Sequence, residues 1–555
     1  MPRINKFTLA GFLLILAAVA VPSMVWVGAF RGVPPDSLRE HLALGAFYFR
    51  AGLAALGIFV FWMPRLLSLC RPAARVIPES SPASRAAIGA ILAVALGLRL
   101  YRLDSGLWLD EILTYVNYAR LPFAEILTTY ASENQHFLYS LMAHACFQLF
   151  GEGAWALRLP AVLFGVASVG ALYLLGREVA GVREGLFSAA LLTFSYHHVW
   201  FSQNARGYTG LLFFTILSSW LLIRAFNEDR PSLWFAYAGA AALGVYTHTT
   251  MMFVIAGHGL SYVLEQWRRH RRGEALRWAG LFLGFLAAAL LTWQLYSLVA
   301  PQVLSAMART VSVVEAWKKP LWTLLEFSRG LNVNFAGAVA ALCALLVFGA
   351  GLWRYARSRP TIVEMLFLPP LLGASLVMAV GHHLWPRFFF FAFGFGALVV
   401  VGGLFAVEEA ARGLRLPRSH RLGSVACVSL ILMSAASVPR AFGPKQDYLA
   451  ALTYALAQRR DGDIVVSTGL ASFPYTTLYR SGIESVEDEG ALTAVRARGR
   501  RTILLYTLEP VIESMQPRVM SMIRRDFKVM KKFGGTLQGG TVFVCIAEGP
   551  GPSQS

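Results

Sequence analysis

Residues 156–178 read ALRLPAVLFGVASVGALYLLGRE. Their apolar run, 157–176, matches the roughly 20 helical residues that cross a bilayer's hydrocarbon core, and it ends on Arg177. The same unit, an apolar run closed by arginine, recurs along most of the chain. Further runs lie near 8–30, 42–63, 86–100, 185–201, 208–226, 232–247, 249–265, 278–299, 336–353, 362–381, 387–407 and 422–438. Composition agrees: of 555 residues 56% are hydrophobic and 15% charged, and mean hydropathy is +0.54. Soluble domains carry roughly 25% charged residues. The expected fold is an α-helical polytopic membrane protein of about 13 transmembrane helices, with a small C-terminal α/β extracytoplasmic domain.

The net charge of +19 does not point to nucleic acid. Of 50 basic residues only seven are lysines, and most arginines sit in short links between apolar runs. Basic links remain on the cytosolic side of a membrane, and no basic stripe interleaved with aromatics follows a groove. The stretch 136–150 decides the parity. Left out as a helix lying at the outer interface, it puts the links with Arg65, Arg71, Arg75 and Arg85, with Arg177 and Arg183, with Arg224 and Arg230, with Arg268 to Arg277, with Arg354 to Arg359 and with Arg412 to Arg421 on one side. This predicts a cytosolic N-terminus, an external C-terminus and a multi-pass protein of the plasma (inner) membrane. Cys70, Cys146, Cys343, Cys427 and Cys545 are scattered and form no CxxC pair. The first run is long for a signal peptide and reads as an uncleaved anchor.

Three regions follow. Residues 1–85 hold an extra transmembrane pair and a cytosolic linker. Residues 86–440 form the main membrane domain, with external loops 101–156 and 300–335. In the second loop Trp317 and Trp322 beside Lys318 and Lys319 suggest an amphipathic helix at headgroup level. Residues 441–555 form the soluble domain, read as helix 446–459, strand 463–467, strand 502–506, basic helix 511–532 and strand 541–546.

Ionisable groups near a bilayer need a reason to be there. Trp108-Leu109-Asp110-Glu111 follows the third run, and its carboxylates could instead simply cap a helix starting at Ile112. Glu133-Asn134-Gln135-His136 leads into a helix that would carry His136, Ser140 and His144 on one face, a face that could be turned to water. The two histidines stand about 12 Å apart along such a helix, too far to share one metal ion. Further clusters are Tyr196 to Tyr208, Tyr246-Thr247-His248 and His382-His383-Leu384-Trp385-Pro386-Arg387; His-His pairs are weak evidence for a metal. Nearly all these clusters fall on the expected outer side. Arg50, inside the second run, has snorkelling as its default explanation.

In order, LWLDE (107–111), ENQHFLYSLMAH (133–144), 156–178, HVWFSQNARGYTGLL (198–212), YTH (246–248) and the Arg387-Phe388 opening of an apolar run resemble one family. It is the polyprenyl-phosphate-sugar-dependent membrane glycosyltransferases of the C superfamily, the protein mannosyltransferase and aminoarabinose transferase type. The similarity covers roughly 88–407. The chain departs from the bacterial pattern in having Phe137-Leu138 after His136, and Asn204 where relatives usually carry Glu.

The resemblance implies an enzyme moving a sugar from a polyprenyl-phosphate carrier to an acceptor hydroxyl of a glycan, lipid or protein on the outer face. It implies Asp110 as base with Glu111 as supporting partner, and Arg206 and Arg387 on the donor phosphate, where guanidinium forks match phosphate oxygens. Glu133, Asn134, His136, Tyr139, Gln203, Tyr208 and His248 are the expected substrate contacts. No cofactor is assigned; a divalent cation is left open, its ligands unassigned. The expected partners are the lipid-linked donor, the acceptor and membrane lipids, not nucleic acid. A transporter or lipid flippase using the same outer cavity is the alternative, though transporters place their ionisable residues near the bilayer midplane.

Overall fold

A computed structural model describes residues 5–74, 81–309, 314–331, 338–417 and 419–549. Every expected apolar run contains helix, because a lipid-exposed backbone must satisfy its own hydrogen bonds. The count of thirteen is not confirmed. Among the described residues eight helices are long and apolar enough to cross a membrane, or up to ten if two bent pairs each count as one. Val182–Thr193 and Pro231–Thr247 are short, and Met251–Arg271 ends in four basic residues.

The first run is not one straight rod. Lys6–Ala20 and Ser23–Arg31 meet at 97°, because Pro22 cannot continue the ladder and biases Val21 to extended backbone. The bend leaves carbonyls of the first helix without amide partners. Arg50 supplies donors: Nε reaches the Ala18 carbonyl at 2.7 Å, Nη2 the Val19 carbonyl at 3.1 Å and Nη1 the Ser23 hydroxyl at 3.2 Å. Arg50 therefore caps a broken helix rather than snorkelling.

Helix Ala154–Ala180 packs on Val182–Thr193 and Tyr208–Glu228. Its crossing with Val182–Thr193 is close enough that a Cβ on Gly176 would stand 2.8 Å from the Gly185 Cα. Three arginine links meet in one ion network, Arg354 on Glu184 at 2.8 Å and Arg183 on Glu408 at 3.2 Å, with Arg412 also on Glu408.

The tail holds a five-stranded sheet: β1 (Ile464–Thr468), β2 (Glu484–Val486), β3 (Arg501–Thr507), β4 (Lys528–Phe533) and β5 (Val542–Glu548), in the order β2-β1-β3-β5-β4. β1 runs parallel to β2 and β3, and β5 runs antiparallel to β3 and β4. The expected basic helix 511–532 is corrected. It divides into Glu509–Met515 and Pro517–Asp526, split at Pro517, and its last residues form edge strand β4. Lys528, Lys531 and Lys532 on that edge discourage strand-to-strand association.

The sheet is not a detached appendage. Val465, Ile503, Leu505 and Val544 share one apolar core with Trp108, Ile112 and Ala205, so the tail packs directly on the loop that carries Asp110.

Candidate active site

The helix bearing the two acids is Leu109–Thr114, continued by a π-helical turn, Tyr115–Ala119. It starts three residues earlier than a helix opened at Ile112. Glu111 does cap it, accepting from the Trp108 amide at 3.4 Å. Asp110 does not cap, and the two carboxylates part company.

Glu111 is fully buried and gripped by Arg158 through two bonds, Nε to Oε1 at 2.7 Å and Nη2 to Oε2 at 2.6 Å. The Ala205 amide adds a third at 2.7 Å. Burial raises the Glu111 pKa, but Arg158, Lys445 and these bonds outweigh it and hold the carboxyl below its usual range. Arg158 also donates to the Leu103, Ser105 and Gly106 carbonyls, so it sets the path of the chain into the acidic helix.

Asp110 is only partly covered, and its Oδ2 lies 3.3 Å from Arg387 Nη1 and 3.9 Å from Arg206 Nη2. Asn134 fixes the backbone beneath it, donating to the Asp110 carbonyl at 3.2 Å and the Thr114 hydroxyl at 3.1 Å. Arg206 Nη1 points to the Asn134 carbonyl at 3.5 Å. Arg387 lies on the Trp385 ring, 4.5 Å from its centroid. Buried Nε atoms of both arginines have no hydrogen-bond partner.

The remaining expected contacts divide into two groups. His136, His248 and Tyr208 form a buried aromatic floor, with ring centroids 4.7 Å apart for the two histidines and 4.9 Å for Tyr208 and His248. Burial, reinforced by Arg206, pushes His136 well below its ordinary pKa, so it is neutral. His136, Ser140 and His144 are all buried, which corrects the expectation of a face turned to water. Tyr139 and Gln203 are committed to structure. Tyr139 donates to the Leu157 carbonyl at 2.7 Å, and Gln203 to the Arg99 and Tyr101 carbonyls at 3.1 and 2.6 Å. Asn204 accepts from the Trp108 indole at 3.1 Å, which ties it to packing.

Glu133 stands at the rim, its Oε1 2.8 Å from His382 Nε2. That hydrogen bond raises the pKa of His382 against the effect of burial, while burial lowers His383 to about 4. Ligand atoms of Glu133, His382 and His383 lie within 4.8 Å of one another. The histidine pair follows Gly381, whose φ of +67° turns the chain out of the preceding helix. Trp317 and Trp322 pack on Trp385 at 4.5 and 5.7 Å, and the Trp317 carbonyl accepts from the Leu384 amide at 2.9 Å. Through Trp385 they back Arg387, and Trp322 sits on helix Pro320–Leu331.

Sequence reasoning missed Arg158, Lys445 and Gln446. Lys445 is buried, its amine 2.6 Å from the Gln203 carbonyl and 5.2 Å from the Trp200 ring centroid, and burial pushes its pKa down to about 7. Gln446 accepts from the Leu109 amide at 3.1 Å. Their signal was thin: Lys445 is one of seven lysines, placed just after the last apolar run.

Residues 134–293 match the family model of dolichyl-phosphate-mannose-protein mannosyltransferases. No curated protein matches the chain in sequence. Among solved structures, apo ArnT from Cupriavidus metallidurans is 13% identical, with 84% of this chain and 98% of that one covered and a TM-score of 0.47. The oligosaccharyltransferase AglB from Archaeoglobus fulgidus, solved with an inhibitory peptide and a dolichol-phosphate, is 10% identical over 83% and 74%, TM-score 0.46. The arabinosyltransferase EmbB from Mycobacterium smegmatis is 17% identical over 66% and 34%, TM-score 0.42. Over residues 134–293 the chain is thus similar to the dolichyl-phosphate-mannose-protein mannosyltransferases, the type of membrane glycosyltransferase that its sequence motifs resemble.

Proposed function

We propose that this protein transfers a sugar from a polyprenyl-phosphate carrier to an acceptor hydroxyl on the outer face of the membrane. The observation that carries the reading is the Asp110 carboxylate set against Arg387 and Arg206 at 3.3 and 3.9 Å. A base and two phosphate-matching cations share one partly open place.

The acceptor oxygen attacks the anomeric carbon as the bond from that carbon to the phosphate oxygen breaks. The bonding pair leaves with the lipid phosphate, and the hydroxyl proton passes to Asp110. Phosphate is already a good leaving group, so the site does not need the second carboxyl of a glycosidase. It needs fixed positive charge where the leaving charge grows, which Arg206 and Arg387 supply. Glu111, locked to Arg158, holds the helix and leaves Asp110 to take the proton.

Glu133, His382 and His383 fit a divalent cation. Two imidazoles and one carboxylate are the ligand types zinc accepts at a three-residue site. Such a cation would supply further charge neutralisation near Arg387.

Incubating the purified protein with a panel of polyprenyl-phosphate sugars and following released lipid phosphate tests the function. Release by wild type that is lost in Asp110→Asn supports it; release unaffected by Asp110→Asn removes the mechanism. Elemental analysis of wild type against the His382→Ala, His383→Ala double variant tests the cation. Equal metal content would remove that site.

A further inference from the structure

The last apolar run ends in Val438–Phe442, and a short strap, Gly443 to Asp447, leads into helix Tyr448–Gln458 of the tail. Two consecutive strap residues turn back into the membrane domain. Gln446, buried, accepts from the Leu109 amide, the first residue of the Asp110 helix. Its own amide donates to the Thr507 hydroxyl of β3 at 3.3 Å, so one side chain joins the acidic helix to the sheet. Lys445 donates to the Gln203 carbonyl, two residues before the Ala205 amide that holds Glu111.

The strap is clamped from behind. The Thr536 amide donates to the Pro444 carbonyl at 2.8 Å, the Leu537 amide to the Lys445 carbonyl at 3.2 Å, and the Trp200 indole to the Thr536 hydroxyl at 2.8 Å. The approach is so close that a Cβ on Gly535 would fall 2.0 Å from the Lys445 carbonyl oxygen. A helix's first amides have no intrahelical acceptor, and Leu109 obtains one from a residue outside the 134–293 family match.

We propose that Lys445 and Gln446 are positioning residues through which the C-terminal domain sets the Asp110 helix and the 203–205 turn against each other. This rests on the reading of Asp110 as the base. Gln446 holds the Asp110 helix and makes no hydrogen bond to Arg206 or Arg387, so its loss is read on the base, whereas Lys445 holds the turn that leads into Arg206. Displacing a reacting group by about 1 Å costs on the order of 100-fold in rate.

The test uses the full chain and three variants: Gln446→Leu, which removes the acceptor; Gln446→Glu, which keeps an acceptor for Leu109; and Lys445→Met. Hydrogen exchange across 107–114 reads the helix without any substrate. Gln446→Leu speeds exchange there about 10-fold or more, as expected for a buried amide left without its acceptor. β1 and β3 stay protected, and Gln446→Glu restores the wild-type rate. With an undecaprenyl-phosphate-linked sugar as donor, Gln446→Leu lowers kcat about 10- to 100-fold at unchanged donor KM, and Lys445→Met lowers kcat by a similar factor. Wild-type exchange at 107–114 in Gln446→Leu overturns the proposal, as does equal loosening of β1 and β3, which marks a general loss of fold. Asp110→Asn, run alongside, leaves exchange at 107–114 unchanged. Turnover by that variant discards the base assignment while the exchange result still decides the strap.

Discussion

The carboxylate of Asp110 and the guanidinium of Arg387, 277 positions apart in the chain, stand 3.3 Å from each other at the mouth of the site. Arg387 also stands over the Trp385 ring, 4.5 Å from its centroid, so a ring as well as a charge holds it. Lysine would keep the charge but lose the planar fork. Arg387→Lys should fold normally and bind donor lipid about 10- to 150-fold more weakly, the worth of one hydrogen bond to a charged group. Donor-lipid affinity at matched protein levels is the measurement; equal affinities discard the phosphate role.

Asp110→Asn retains the shape of the side chain and removes its ability to take a proton. Turnover should fall by about 10²–10⁴-fold, the usual contribution of a general base. Membrane insertion and carrier-lipid binding should persist, which fluorescence size-exclusion and a lipid-binding assay would confirm.

Glu111 and Arg158 predict a different phenotype. Arg158→Leu strands a fully buried carboxylate and should destabilise the protein by about 3–5 kcal/mol, read as a lower melting temperature in detergent. The pH dependence has a definite sign. Because the folded pKa of Glu111 lies below its unfolded value, its contribution is present above the ordinary carboxylate range, near about 4.3, and is lost as pH falls through the folded value. Wild type should therefore lose stability in acid more steeply than Glu111→Gln.

The sidedness inferred from the arginine links predicts an external tail. Arg480 is exposed on the sheet domain. Arg480→Cys, in intact cells or spheroplasts, should react with an impermeant maleimide. Labelling only after permeabilisation reverses the assignment.

The membrane helices were legible because a bilayer imposes a length and a polarity that few residues can violate. Asp110, Arg206 and Arg387 drew notice for the opposite reason, as costly residues grouped at run ends, and the resemblance supplied the roles proposed for them. Periodicity could not reveal that Pro22 breaks the first run or that Arg50 repairs the break, since that pairing crosses 32 residues. The sequence KVMKKF was read as the end of a basic helix; only its pairing with β5 makes it a strand. Arg158 looked like one arginine in an apolar run, and its partner Glu111 was assigned by resemblance without it. Lys445 and Gln446 act through partners more than 240 positions away, which local patterns do not encode.

The strap also has a consequence for biogenesis. Asp110 leaves the ribosome well before Thr536 and Leu537, whose amides clamp the Pro444 and Lys445 carbonyls of the strap. At about 5–20 residues per second, tens of seconds separate the two events. Throughout that interval a nascent chain has threaded its apolar segments into lipid while its acidic helix lacks the final support. On the role proposed for the strap, a chain still lacking the sheet would hold its acidic helix without the bond from Gln446.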